Sequence, residues 1–276
     1  MAITGVVKKD EIEMEYCRFG TGNSVFVILP GLSIQSVMGA GDAIEEEYAI
    51  MRDDFTTYVF DRRKSIPDDY SIYDMADDTV AVIQELGLHD ICLFGASQGG
   101  MIAMVIAIRY PALVKKLVLG STSPHVKPGQ REVVDKWIRL AEDKDREGLC
   151  SEYGKEIYPP DVYEQNRKYF SDMARTVTDK ELDRFVILAK SIRNYDISDE
   201  LEKIECPVLA IGVNDDPVLG GDATLEIADK LSHRQDFSLY MYSGYGHAAF
   251  DTAPDYRKRV YDFIISPEDA VLVEMN

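Results

Sequence analysis

The sequence predicts an α/β fold: a mostly parallel central sheet with helices on both faces, and one block of helices inserted into it. Three observations predict this. Short unbroken apolar runs, such as Val25 to Leu29 and Val208 to Ile211, have the composition of strands covered on both faces. Such runs alternate with helical stretches in strand–helix–strand order, the arrangement that parallel pairing requires. The rhythm stops between Ser123 and about Lys203, where the pattern is helical and broken by Pro124, Pro128, Pro159 and Pro160, and resumes afterwards. The expected division is therefore a core made of residues 1–122 and 204–276, with residues 123–203 inserted as a helical block.

Taken in order, Gly5 to Phe19 reads as two short strands joined by the charged turn at Lys8-Lys9-Asp10, with alternation in Ile12-Glu13-Met14-Glu15-Tyr16. The strand Val25 to Leu29 ends abruptly in Pro30-Gly31-Leu32-Ser33. An acidic helix from Asp42 to Met51 precedes the strand Thr56 to Phe60, which leads to Asp61-Arg62-Arg63. Ser71 to Leu86 is an amphipathic helix with Met75, Thr79, Val82, Ile83 and Leu86 on one face and Gly87 as its stop. The strand His89 to Phe94 runs into Gly95-Ala96-Ser97-Gln98-Gly99-Gly100, and an apolar helix, Met101 to Ile108, runs out of it to Tyr110-Pro111. Lys115 to Gly120 is the next strand. The inserted block holds helices near Arg131 to Glu142, Asp161 to Met173 and Asp179 to Ile192, the tryptophan Trp137, and the aromatics Tyr153, Tyr158, Tyr163, Tyr169 and Phe170. After it come the strand Cys206 to Gly212, a helix from Gly221 to Leu231, the strand Phe237 to Tyr242 and a closing helix near Pro254 to Ile264. The tail from Ser266 to Asn276 is expected to be peripheral.

Composition narrows the function. The chain has 276 residues, 46% of them hydrophobic, enough for one large domain with a sizeable core. A net charge of −19 argues against nucleic acid and against an anionic membrane surface as partners. No apolar run approaches a membrane span, and the N-terminal residues lack the build of a signal peptide, so a cytoplasmic setting is expected. Cys17, Cys92, Cys150 and Cys206 are scattered, which fits a reducing compartment and suggests neither a metal site nor a disulfide framework. No cofactor is expected, and nothing in the sequence sets an oligomeric state.

The stretch Gly95-Ala96-Ser97-Gln98-Gly99 is G-x-S-x-G between a strand and a helix, the context in which it forms a sharp turn with an exposed serine. The bare pattern also occurs in ordinary glycine-rich turns, so its weight depends on what the rest of the chain supplies. Together with Leu29-Pro30-Gly31-Leu32, Phe60-Asp61-Arg62-Arg63, Pro207 to Gly212 with Asp216-Pro217, and Gly244-Tyr245-Gly246-His247, it resembles the α/β-hydrolase fold with a helical cap over nearly the whole chain. The pieces fall in the family's order, nucleophile, acid, histidine.

The resemblance implies a serine hydrolase acting on a small or medium ester by way of an acyl-enzyme. An unassisted serine hydroxyl is a poor nucleophile, so an imidazole must take its proton and return it to the leaving group. His247, in a glycine-flanked loop after a strand, is the candidate; His89 and His233 sit in surface-type sequence and His125 opens the inserted block. An acid must hold that imidazole in the right tautomer. Asp216 fits the family's D-P-hydrophobic run, whereas the usual spacing from the strand-end glycine favours Asp215. The resemblance assigns the oxyanion hole to the backbone N–H groups of Leu32 and Gln98. Pro30 replaces the commoner histidine of that turn, so the local support of the hole is expected to differ. Asp61-Arg62-Arg63 reads as a structural turn. The expected partner is a small-molecule substrate, an uncharged ester if the cap aromatics roof the site. The same set of residues serves carbon–carbon bond, lactone and thioester hydrolysis, and a non-catalytic ligand-binding protein of this fold is the alternative from another class.

Overall fold

A computed structural model describes residues 1–267; the rest of the expected peripheral tail lies outside the described residues. Its strands are β1 (Ile3–Lys9), β2 (Ile12–Phe19), β3 (Ser24–Leu29), β4 (Phe55–Phe60), β5 (Ile91–Ala96), β6 (Val114–Gly120), β7 (Val208–Val213) and β8 (Phe237–Tyr242). They form one sheet in the order β1-β2-β4-β3-β5-β6-β7-β8. β1 pairs with β2, and β2 with β4, antiparallel; every later pair is parallel.

Side-chain alternation assigns the strands to two layers. Phe26, Ile28, Cys92 and Phe94 face one core, and Val27, Leu29, Ile91 and Leu93 face the other. Both sets are apolar because both faces are covered. On one face lie α2 (Ile72–Glu85), α3 (Gln98–Arg109) and α8 (Asp222–Leu231); on the other lie α1 (Gly41–Glu47) and α10 (Tyr256–Ile265). α2 begins at Ser71, whose hydroxyl accepts from Asp74 N while the Asp74 carboxylate accepts from Ser71 N, a reciprocal cap. It ends where Gly87 takes φ +68°.

Between β6 and β7 the chain forms α4 (Glu132–Glu142), α5 (Arg146–Ile157), α6 (Pro160–Thr176) and α7 (Asp179–Lys190). Apolar periodicity anticipates α4, α6 and α7. It does not anticipate α5, whose buried residues are only Leu149, Cys150 and Gly154, too few to mark a stripe. α5 is instead started by the Asp145 cap on Gly148 N and held against α6, where a Cβ at Gly154 would come within 2.7 Å of the Phe170 ring. The two crossings between insert and core lie side by side: His125 bridges Asp196, and Ile197 N donates to Pro124 O at 2.9 Å. A short helix, α9 (Ala249–Thr252), which the sequence pattern does not mark, precedes α10.

Phe94 anchors the layer beneath the centre of the sheet. It is 1% exposed, with its ring centroid 6.1 Å from that of Tyr256 and 6.4 Å from that of Tyr48. Phe94→Ala is expected to lower stability by about 3–5 kcal/mol through lost burial and the cavity left behind. Urea unfolding monitored by circular dichroism checks this; a loss under about 1 kcal/mol would mean that the layer collapses around the gap.

Candidate active site

The parallel strands β3, β5, β6 and β7 all end at one edge of the sheet, and the candidate residues gather there. β5 passes into α3 through Ser97 alone, which takes φ +53° and ψ −119°. A non-glycine residue in that region is strained, and the strain turns the hydroxyl outward from the tight strand-to-helix turn. The glycines on either side allow the crossing: a Cβ at Gly95 would collide with Gly99 O, and one at Gly99 with Leu29 O. Two hydrogen bonds hold the turn, Ser97 N to Gly120 O at 2.8 Å and Thr122 Oγ1 to Ser97 O at 2.7 Å.

His247 follows β8 in a loop where Gly244 (φ +79°) and Gly246 (φ +69°) adopt backbone that side chains disfavour. Its Nε2 lies 2.9 Å from Ser97 Oγ, and its Nδ1 lies 2.9 and 2.8 Å from the two carboxylate oxygens of Asp216. Both His247 and Asp216 are buried, at 4% and 7% exposure. The loop after β7 fixes Asp216, whose Oδ1 also accepts from the backbone N–H groups of Val218 (2.8 Å) and Leu219 (3.1 Å). Asp215 points elsewhere. Both its carboxylate oxygens accept from Gly244 N, at 3.0 and 3.1 Å, so it braces the loop that carries the histidine.

Leu32 and Gln98 flank the serine. A Cβ at Gly31 would stand 3.2 Å from Ser97 Cβ, so the Pro30-Gly31-Leu32 loop lies directly over Ser97. Gln98 is the first residue of α3, where N–H groups have no intrahelical acceptor. Among the described residues neither the Leu32 N–H nor the Gln98 N–H has a protein partner. The Gln98 side chain is buried, its Nε2 donating to Leu188 O at 2.7 Å and to Ser191 Oγ at 3.3 Å at the end of α7.

Arg62, in the turn that reads as structural from sequence, and Tyr153, one of the aromatics of the insert, both reach this loop. Arg62, 5% exposed, donates from one terminal nitrogen to Pro30 O at 2.7 Å, with a longer approach of 3.5 Å to Gln98 Oε1. Burial pulls its pKa down to about 10, which leaves it charged at neutral pH. Tyr153, on the unanticipated α5, donates to Leu32 O at 2.6 Å. Burial pushes its phenol up, so it stays a neutral donor. Asp61 accepts from Arg62 N at 2.7 Å and from Arg184 at 3.1 Å, tying this turn to α7. The signal for Arg62 was present in the arginine-rich turn after β4; nothing in the sequence marked Tyr153 among five neighbouring aromatics.

The remaining histidine candidates stand apart. His125 Nδ1 lies 2.8 Å from Ser198 Oγ and 3.4 Å from a Glu226 carboxylate oxygen, at the seam of insert and core. His89 is exposed beside Asp90. A cavity of about 170 Å³ opens beside the Leu32 loop, lined by Ile34, Ser36, Arg62, Glu181 and Arg184 among others. A larger one, about 540 Å³, lies between the starts of β5, β6 and β7, at the end of the sheet opposite Ser97.

A family model described as the alpha/beta hydrolase fold matches residues 25–254, and the chain belongs to that family. A protein of Pantoea ananatis named as a candidate carbamate hydrolase, RutD, is 22% identical over 226 residues, covering 79% of this chain and 81% of its own. Two crystal structures share the fold. MGS-M2, an alpha/beta hydrolase enzyme from a Medee basin deep-sea metagenome library, has a TM-score of 0.85 at 20% identity, covering 98% of this chain and 100% of its own. The enol-lactonase of Burkholderia xenovorans LB400 has a TM-score of 0.81 at 16% identity, covering 95% and 100%. No helix among the described residues is long and apolar enough to cross a membrane.

The two-oxygen contact of Asp216 on His247 Nδ1 is directly observable. Proton NMR is expected to detect a far-downfield imidazole N–H that persists in Asp215→Asn and disappears in Asp216→Asn. Loss of that resonance in Asp215→Asn alone would transfer the contact to the other carboxylate.

Proposed function

We propose that this protein is a serine hydrolase that cleaves a small or medium carboxylic ester through an acyl-enzyme intermediate. The observation that carries the reading is the hydrogen-bonded line Asp216–His247–Ser97 ending on a strained, outward-turned serine. In this reading Ser97 Oγ attacks the ester carbonyl carbon as its proton passes to His247 Nε2. Asp216 holds the Nδ1 proton and stabilises the imidazolium that forms. The negative oxygen of the tetrahedral intermediate accepts from the N–H groups of Leu32 and Gln98. Collapse expels the alcohol, which takes the proton from His247. Water then adds to the acyl-enzyme with His247 as base, and the acid departs as Ser97 recovers its proton. Every group in this sequence belongs to the chain, so no cofactor is invoked.

The insert, residues 123–203, acts in this reading as a cap over the site, with the small molecule held between it and the strand ends. Tyr153, whose ring centroid lies 5.0 Å from that of Trp137 and whose hydroxyl reaches Leu32 O, brings aromatic surface from the insert to the loop above Ser97, which supports an uncharged substrate. A second reading, hydrolysis of a carbamate or a lactone, draws support from what the relatives' names say of those proteins, since both bonds present a carbonyl to the same nucleophile. We also propose a cytoplasmic setting, which the scattered cysteines favour.

Nitrophenyl esters from acetate to long acyl chains, assayed beside a nitrophenyl carbamate and an enol lactone, test the reading. The expected result is turnover that peaks at one short or medium acyl length and falls by about 10⁴-fold or more in Ser97→Ala. Asp216→Asn is expected to lower kcat by about 10⁴-fold, and Asp215→Asn far less. Ester turnover that survives Ser97→Ala near the wild-type rate would sink the mechanism. A preference for the carbamate or lactone over every ester would replace the substrate class.

A further inference from the structure

The direction of a backbone N–H is set by the peptide plane it belongs to and by the planes on either side. The Leu32 N–H belongs to the plane joining Gly31 to Leu32. The plane before it carries the Pro30 carbonyl, and the plane after it carries the Leu32 carbonyl. Each of those carbonyls is gripped by a side chain from another part of the molecule: Pro30 O by Arg62 at 2.7 Å, and Leu32 O by Tyr153 at 2.6 Å. Because peptide units are rigid, fixing both flanking planes fixes the Gly31 and Leu32 Cα atoms and leaves the middle plane a single rotation about the axis between them, so the two grips set where the Leu32 nitrogen stands. The Gln98 N–H is fixed differently. Its plane carries Ser97 O, which accepts from Thr122 Oγ1 and from the first turn of α3.

The two grips differ in kind. Arg62 comes from the core, at the end of β4, and brings a buried positive charge whose Nε has no partner among the described residues. Leaving a guanidinium in that state costs stability. A turn that needed only mechanical support could be held by a neutral donor at less cost. Tyr153 comes from α5 in the insert, so its grip exists only while the insert is seated on the core. Pro30, which has no N–H and no polar side chain, offers its own turn only a ring-fixed φ and the carbonyl that Arg62 grips.

We propose that Arg62 and Tyr153 are positioning residues of the oxyanion hole, which pin the peptide planes flanking the Leu32 N–H and make the hole depend on the seated cap. The inference rests on the serine-hydrolase reading above. A hole whose donor is misaimed loses contact with the tetrahedral oxygen and keeps its contacts with the ground-state ester, so the effect belongs in kcat and not in KM.

The test compares wild type with Arg62→Lys, Arg62→Met and Tyr153→Phe, measuring kcat, KM and the inhibition constant of an arylboronic acid, which forms a tetrahedral adduct on the serine. Losing one hole donor outright costs about 10²–10³ in kcat, so misaiming it is expected to cost about 10–100-fold in Arg62→Met and Tyr153→Phe, with KM nearly unchanged. Boronate affinity is expected to fall in step with kcat, and Arg62→Lys to recover part of both. Folded variants with wild-type kcat and boronate affinity, or with KM raised at constant kcat, would overturn the inference while leaving the hydrolase reading intact. If Arg62→Met does not fold, Arg62→Lys and Tyr153→Phe decide by the same criteria. A wild-type protein that neither turns over any acyl substrate nor binds the boronate overturns the functional reading and the inference with it.

Discussion

The positive-φ backbone at Ser97, with ψ −119°, is where the strand order and the loops of the site meet. A serine at φ +53° is held there by its surroundings, since the chain alone would relax to an ordinary turn. Two close approaches, Gly95 against the backbone of Gly99 and Gly99 against Leu29 O, leave no room for that relaxation. The end of β6 closes the third side, with Gly120 O accepting from Ser97 N and Thr122 bonding Ser97 O. Since β3, β5 and β6 must lie next to one another for this to happen, the strand order is part of the site. The same parallel order brings the loops after β7 and β8 within reach, so that Asp216 and His247 complete the line from the opposite side.

A second feature is how closely the helical insert is tied to these loops. Gln98 reaches the end of α7 through Leu188 O, and Leu32 O receives Tyr153 from α5. Beside the histidine, Ala248 N donates to Ile157 O at 2.9 Å, and a Cβ on Gly246 would stand 2.9 Å from that same carbonyl. Tyr158 adds a bond to Asp251 at 3.0 Å. The insert therefore touches Gln98 beside Ser97, the loop above it and the histidine loop. A displacement of the insert would be felt at each of them.

Most of the sheet and the order of the candidate residues could be read from sequence, because apolar strands covered on both faces and a glycine-serine-glycine turn are local signals. What could not be read is long-range. The choice between Asp215 and Asp216 depends on which way a loop turns after β7; the geometry sends Asp216 to His247 Nδ1 and Asp215 to Gly244 N, a division of labour that adjacent residues do not announce. α5 escaped because it buries little of itself, and its Tyr153 therefore looked like one aromatic among several. Arg62 looked structural, and it is; only the folded chain reveals that what it supports is the turn where proline stands in place of histidine.

The proposed function stands on Ser97 acting as a nucleophile activated by His247. The most direct measurement is reaction of the folded protein with a fluorophosphonate, followed by intact mass and peptide mapping. One adduct is expected, on the peptide containing Ser97, formed far more slowly in His247→Ala. Folded protein that forms no adduct, or carries it on another residue, would rule out Ser97 as the activated nucleophile.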